Sequence, residues 1–288
     1  MLALPRDEDA ALRAGRRRKT QVRLLIALVV IVAASFLLRV YVERSGWSST
    51  STAIGGYRKL PLSDGSTLEL NTDTAVRYRL SETARELELT GGEARFRVAH
   101  DVGRPFVVFA LNTVIRAVGT EFSVRIRDGQ RVEVVVADGV VAVSHRVHPS
   151  ALSELLHGHV VPLEGGTAVP EKTMVTDDGV RLSMAELTWA RVEAHDAWRN
   201  NMLIFEEAPL REVVEEFNRY DRRKLEIADP AIGEVLLGGR YRPREVEGFL
   251  RNLESVIKIR VVEVGNPSGD GVVLRIYSDA AKGNELEK

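Results

Sequence analysis

The chain has 288 residues, 44% of them hydrophobic and 28% charged, enough for a sizeable core and for two modest domains. It contains no cysteine, which excludes a disulfide framework, a thiol nucleophile and any cysteine-based zinc or iron–sulfur site. The net charge of −1 is unevenly spread: residues 1–44 carry nine Lys/Arg against four Asp/Glu, so the rest is acidic by −6 and lacks the basic footprint of a nucleic-acid binder.

Taken in chain order, the first signal is an apolar run. Leu24 to Leu38 has no charge, and eleven of its fifteen residues are Leu, Ile, Val or Phe. Extended to 22–42 it reaches the roughly 20 residues a spanning helix needs, with Arg23 and Arg39 at the two interfaces and Tyr41 and Trp47 as aromatic anchors. No small-x-small cleavage site follows Leu38, so the pattern predicts an uncleaved, membrane-embedded single-pass helix rather than a signal peptide. Arg13, Arg16, Arg17, Arg18 and Lys19 place residues 1–21 in the cytoplasm as a basic tail, with the main body across the membrane. Residues 43–56 are small and polar and read as a linker.

From 57 to 197 the pattern is strands and tight turns. Asp64-Gly65, Asp128-Gly129 and Asp138-Gly139, with Gly91-Gly92 between them, are hairpin signals because the turn positions tolerate positive φ. Runs such as Phe106–Phe109 and Val132–Val136 lie around them, which predicts a mainly β domain, a sandwich or a solenoid. Gly165-Gly166 and Asp178-Gly179 mark further hairpin turns, and 183–198 has a helical pattern. Residues 198–278 change character and predict a small α+β domain in the order β-α-β-β-α-β-β. Its helices are drawn by Leu210, Val213, Val214 and Phe217, and by Val246, Phe249, Leu250 and Leu253. Residues 279–288 read as a disordered tail.

Several blocks, in order and at matching spacing, carry a family resemblance. Leu62-Ser63-Asp64-Gly65-Ser66 ending at Leu70-Asn71 resembles the opening of the FecR domain. The segments 89–100, Arg104–Val108, Val118–Val124 and Gly139-Val140-Val141 are similar to the blocks that follow it. Trp198-Arg199, Phe205, Pro209-Leu210 and Asn218-Arg219-Tyr220 resemble the family's C-terminal region, itself similar to the short signalling domain of secretins and TonB-dependent receptors. The resemblance implies an anti-sigma regulator of the Gram-negative inner membrane with a periplasmic sensing part and no enzymatic activity or cofactor. Its partners would be the signalling domain of an outer-membrane TonB-dependent receptor and an extracytoplasmic-function sigma factor, with transcription of iron transport among the regulated processes. Residues 1–21 are too few to bury a core, so the family's sigma-holding domain is expected to be missing. The alternative reading is a membrane-tethered periplasmic scaffold that binds envelope proteins or glycans and has no sigma partner.

Individual residues narrow the sites. His145, His148, His157 and His159 lie at spacings that can chelate a metal, yet they sit in a polar turn region without matching carboxylates, and no metal is expected. No nucleophile elbow is present. Gly119-Thr120 is the one candidate for covalent chemistry, since a Thr hydroxyl beside an unhindered Gly carbonyl in a strained turn can undergo an N-to-O acyl shift; the alternative is a plain glycine turn before a strand. Partner binding is expected at two exposed strand edges, one at Leu203 and Phe205 and the other at Val272, Leu274 and Ile276.

Overall fold

The computed structural model describes residues 27–35, 46–145, 166–265 and 272–278. The chain divides into two units, Met1–Trp47 and Ser48–Lys288.

In the first unit the described helical residues are 27–35. Among the described residues no helix is long and apolar enough to cross a membrane. This finding corrects the expected single transmembrane helix over 22–42, and with it the single-pass inner-membrane topology and the transmembrane relay built on it. The basic tail 1–21 and the tail 279–288 lie outside the described residues.

In the second unit, period-two alternation builds two facing sheets. One has the order β1 (Ser48–Ser51), β4 (Ala75–Leu80), β5 (Arg85–Gly91), β7 (Phe106–Ala110), β8 (Thr113–Ala117), β11 (Val140–His145), β12 (Thr167–Pro170). The other has the order β14 (Leu182–Glu186), β13 (Thr173–Asp177), β10 (Arg131–Asp138), β9 (Glu121–Arg127), β6 (Glu93–Arg97), β3 (Thr67–Leu70), β2 (Arg58–Pro61). Leu87, Leu89, Val108 and Ile115 from the first meet Leu68, Phe96, Phe122 and Val134 from the second in one core, so of the two architectures expected the sandwich is the one formed. Phe96 stacks on Phe122 with ring centroids 5.1 Å apart. The β9–β10 turn holds Asp128 at φ 54° and Gly129 at φ 65°, the left-handed pair that an Asp-Gly dipeptide supplies.

The Ser-Asp-Gly-Ser block proves to be a buried hub. Arg85, 1% exposed, reaches the Asp64 carboxylate at 3.2 Å and donates to the carbonyls of Ala99 at 2.8 Å and Arg104 at 2.6 Å. Asp64 accepts from the Ser66 amide at 3.0 Å and hydroxyl at 2.7 Å, and Ser66 Oγ accepts from the Ala99 amide at 3.0 Å. Such a pair is tolerated inside a core because its polar atoms are matched.

Two local readings change. The body begins at Ser48 rather than 57, because Ser48–Ser51 pairs with β4, opposite Ala75–Tyr78. A Ser/Thr run has the composition of a linker, but the ladder needs only its backbone. The helical pattern over 183–198 is shortened because Leu182–Glu186 closes a hairpin on β13 around Asp178-Gly179. Helix α1 (Trp189–Asp196) then starts on Thr188, whose hydroxyl caps the Arg191 amide, and passes into a 3₁₀ turn at Ala197–Asn200. Val135, on the outer face of β10, packs with Leu187 and Val192 and seats α1 there.

The C-terminal part runs β15 (Leu203–Pro209), α2 (Leu210–Asn218), β16 (Lys224–Ile227), β17 (Leu236–Tyr241), α3 (Val246–Val256), β18 (Ile259–Gly265) and β19 (Val272–Ser278). This is the order read from the sequence. Pro209 caps α2 rather than sitting inside it. Both helices lay their apolar faces into one cluster around Phe217, Phe249 and Leu253, and Phe217 stacks on Phe249 at 4.5 Å. The strands split into a two-stranded sheet, β15-β17, and a three-stranded one, β16-β19-β18.

Candidate functional site

Residues quoted above from opposite ends of the body meet in space. Asn71, just after β3, donates from Nδ2 to the Tyr220 hydroxyl at 2.8 Å and to Glu93 at 2.9 Å. Arg219 donates to Glu93 at 2.7 Å and to Glu216 at 2.5 Å, and its carbonyl accepts from Thr72 Oγ1 at 2.9 Å. Arg125 on β9 completes the chain with Glu216 at 2.8 Å. Nearby, Arg199 pairs with Glu69, and Arg95 pairs with Asp196 and Glu121. The sandwich and the C-terminal unit are thus joined by a desolvated ionic network.

The network sets the ionisation of its members. Burial alone would raise the Glu216 carboxyl, but the Arg125 and Arg219 guanidiniums outweigh it and hold it down at about 2. Burial likewise opposes the charge on Arg219, and Glu216 with Glu93 reverses that and raises it. The Tyr220 phenol is raised by burial first and by Glu216 second. His195, on the last turn of α1, is pushed down by burial, so it stands neutral among charged neighbours.

Beside the network lies a cleft of about 490 Å³. One wall is the consecutive stretch Met202–Pro209; the other includes Arg125 and Glu133 of the sandwich and His195 and Trp198 of the α1 region. Among the described residues β15 pairs only with β17, and its second side, unpaired there, borders this cleft. Its register slips between Phe205 and Ala208, leaving Glu206 and Glu207 exposed and Glu207 at φ 51°.

The expected partner residues divide sharply. Leu203 and Phe205 lie on the β15 edge, but their side chains belong to the core, where Phe205 packs on Phe217 and Tyr241 at 6.4 and 6.1 Å; only their main chain is open to a partner. Val272, Leu274 and Ile276 do not form an edge. β19 is the central strand, parallel to β16 on one side and antiparallel to β18 on the other, so its ladder groups are engaged on both flanks. The sequence carried no sign of this, because β19 is last in the chain and insertion between earlier strands leaves no local mark.

Gly119-Thr120 sits between β8 and β9. Gly119 is not in the left-handed region; it is required by space, since a Cβ there would lie 2.5 Å from His100 Nδ1. Thr120 is 7% exposed, and its hydroxyl oxygen has no hydrogen-bond partner among the described residues. His145 is held by the buried Asp177 at 2.9 Å, which also accepts from Thr113 Oγ1 at 2.7 Å across the sandwich edge. His148, His157 and His159 lie outside the described residues, among which no group of three metal-ligating side chains occurs.

Comparison with known proteins bears out the resemblance where it is strongest. Residues 48–142 match the family model described as FecR protein. The chain is similar to two crystal structures of a proposed anti-sigma factor from Parabacteroides distasonis ATCC 8503. The first superposes with a TM-score of 0.62 at 19% identity, over 80% of this chain and 99% of that one. The second gives 0.60 at 20% identity, over 81% and 99%. At these identities the likeness establishes the fold, and it reaches beyond the family-matched segment to most of the body. No curated protein matches the chain.

Proposed function

We propose that the protein is a signalling module of the FecR, anti-sigma type that acts by binding other proteins. The proposed partner is the signalling domain of an outer-membrane TonB-dependent receptor, and the regulated protein is an extracytoplasmic-function sigma factor. The family match over 48–142 supports the class. The observation that supports binding is the open β15 edge: seven residues with a partner strand on one side only. The ionic network lets the sandwich present that edge at a fixed place. The test is a pull-down of the full chain with the periplasmic extension of the receptor encoded nearby. Capture is expected. Failure of the soluble, folded pair to associate would overturn the partner assignment.

A second reading concerns processing at Gly119–Thr120, supported by the buried, unpartnered Thr120 hydroxyl. Thr120 Oγ attacks the Gly119 carbonyl carbon, its proton passes to the departing amide nitrogen, and an ester forms. Water then releases the Gly119 carboxylate and restores the hydroxyl. A nick there leaves β6 paired with β9 and β8 paired with β11, so the fragments stay together. Two co-purifying fragments are expected from the wild type and one chain from Thr120→Ala. A single intact mass for the wild type after prolonged incubation would retire the idea.

A further inference from the structure

We infer that the cleft beside β15 receives an extended, lysine- or arginine-bearing strand of a partner protein, which adds to the open edge of β15. The inference rests on the proposed role of that edge in partner binding and specifies the chemistry of what docks there.

Three observations carry it. First, Met202 to Pro209 line the cleft without a gap. A strand that shows one face contributes every second residue, so an unbroken run means that the edge itself, with its free N–H and C=O groups, looks into the space. Second, Trp198 lines the same cleft, is 6% exposed, and its Nε1–H has no acceptor among the described residues. A buried indole donor without a partner is uncommon, and a carbonyl of an inserted strand is the group it lacks. Third, the charges of the cleft are unbalanced. Of its three arginines, Arg125 and Arg127 are tied to Glu216 and Glu133, and the exposed Arg191 has no ion pair among the described residues. Glu206 and Glu207 are exposed, with no ion pair among the described residues, and the carboxylate of Glu212 has only Arg211 at 3.7 Å. Cationic side chains on the incoming strand would meet these three carboxylates.

The geometry also narrows the form of the partner. The edge lies in a cleft walled by α1 and the sandwich, so an extended segment or an edge strand of the partner is what fits it. The larger neighbouring cavity, about 650 Å³, is a weaker candidate because only Ile204 of β15 lines it and two of its three arginines, Arg95 and Arg199, already hold Asp196 and Glu69.

The test uses the full chain and a phage-displayed library of random heptapeptides. Enriched peptides are expected to carry Lys or Arg at alternate positions, and hydrogen exchange with the synthesised peptide is expected to slow within 203–209. The double variant Glu206→Lys/Glu207→Lys and, separately, Trp198→Phe should each bind about tenfold more weakly, equivalent to roughly 1.4 kcal/mol. The surface double variant controls for any folding defect of the tryptophan change. No enrichment, enrichment of neutral or acidic peptides, or unchanged binding by the double variant would overturn the inference. A dimer of the chain alone with 203–209 protected would overturn it in favour of a second copy. Basic peptides that bind when the receptor does not would retire the receptor and keep the cleft; the opposite pattern would retire the cleft and keep the receptor.

Discussion

The sandwich and the C-terminal unit treat their strand edges differently. The sandwich ends in β1, β12, β2 and β14, each four or five residues long. β2 carries Arg58, Lys59 and Pro61, β12 ends in Pro170, and β1 is all Ser and Thr. Short edges with charge and proline resist pairing with other chains. The C-terminal unit instead leaves open the seven-residue β15, with Leu203, Ile204 and Phe205 at its start. β16, β17 and β18 also have a free side among the described residues; Arg260 breaks the apolar run of β18 at its second position, whereas β15 holds three apolar residues in a row before Glu206, Glu207 and Pro209. The contrast teaches a division of labour: one half is closed and supplies a rigid platform, the other keeps an edge for recognition.

The largest expected effects come from breaking each half at its most committed point. In the sandwich, Arg85→Ala leaves Asp64 buried without its cation and should cost about 3–5 kcal/mol, read as a lower denaturant midpoint with unchanged slope. In the C-terminal unit, Leu274→Pro removes a donor from the central strand and should unfold β16-β19-β18 outright, read as lost hydrogen-exchange protection there while the sandwich stays protected. If β19 were an edge, as its sequence position alone suggests, that variant would stay folded.

An intermediate effect is expected at the seam. Arg219→Ala strips Glu93 and Glu216 of their shared partner and should cost on the order of 3 kcal/mol. It should also separate the unfolding of the two halves, so that calorimetry shows two transitions where the wild type shows one. A single, unshifted transition would mean that the network does not couple them.

The smallest effect is pH dependence. His195 is held below its ordinary value of 6.5, so as pH falls below 6.5 the unfolded chain takes up a proton that the folded one refuses, and stability drops. Glu216 titrates at about 2 against an ordinary 4.5; its contribution is complete above about pH 5.5 and is lost as pH falls from there through 2. Of these two groups, His195 accounts for the loss between pH 6.5 and 5.5. His195→Gln should flatten the Tm profile in that window by a few degrees and leave the steeper fall below pH 4.5 in place.

Much of this was legible in the sequence, for local reasons. The Asp-Gly turns and the apolar alternation of β9 and β10 gave the hairpins, and the 3.6-residue spacing of Leu210, Val213, Val214 and Phe217 gave α2. The Asn71 and Arg219-Tyr220 blocks were visible as motifs, but their meeting was not, because a contact across 149 residues leaves no periodicity. Ser48–Ser51 was hidden by its linker-like composition, and the place of β19 in its sheet by topology. The apolar run after Leu24 satisfied a hydropathy rule, yet among the described residues no helix is long and apolar enough to cross a membrane. The cleft had no sequence signal at all, since the Glu206-Glu207 bulge reads as ordinary surface charge until β17 sets the register.

The central claim is that partner recognition uses β15 on a platform fixed by the ionic network. Hydrogen exchange of the full chain, with and without the receptor's signalling domain, tests it most directly. The account expects new protection confined to 203–209, the Glu206-Glu207 bulge included, with 272–278 unchanged because its ladder is already complete on both sides. Protection that appears at 272–278 while 203–209 continues to exchange freely would contradict it.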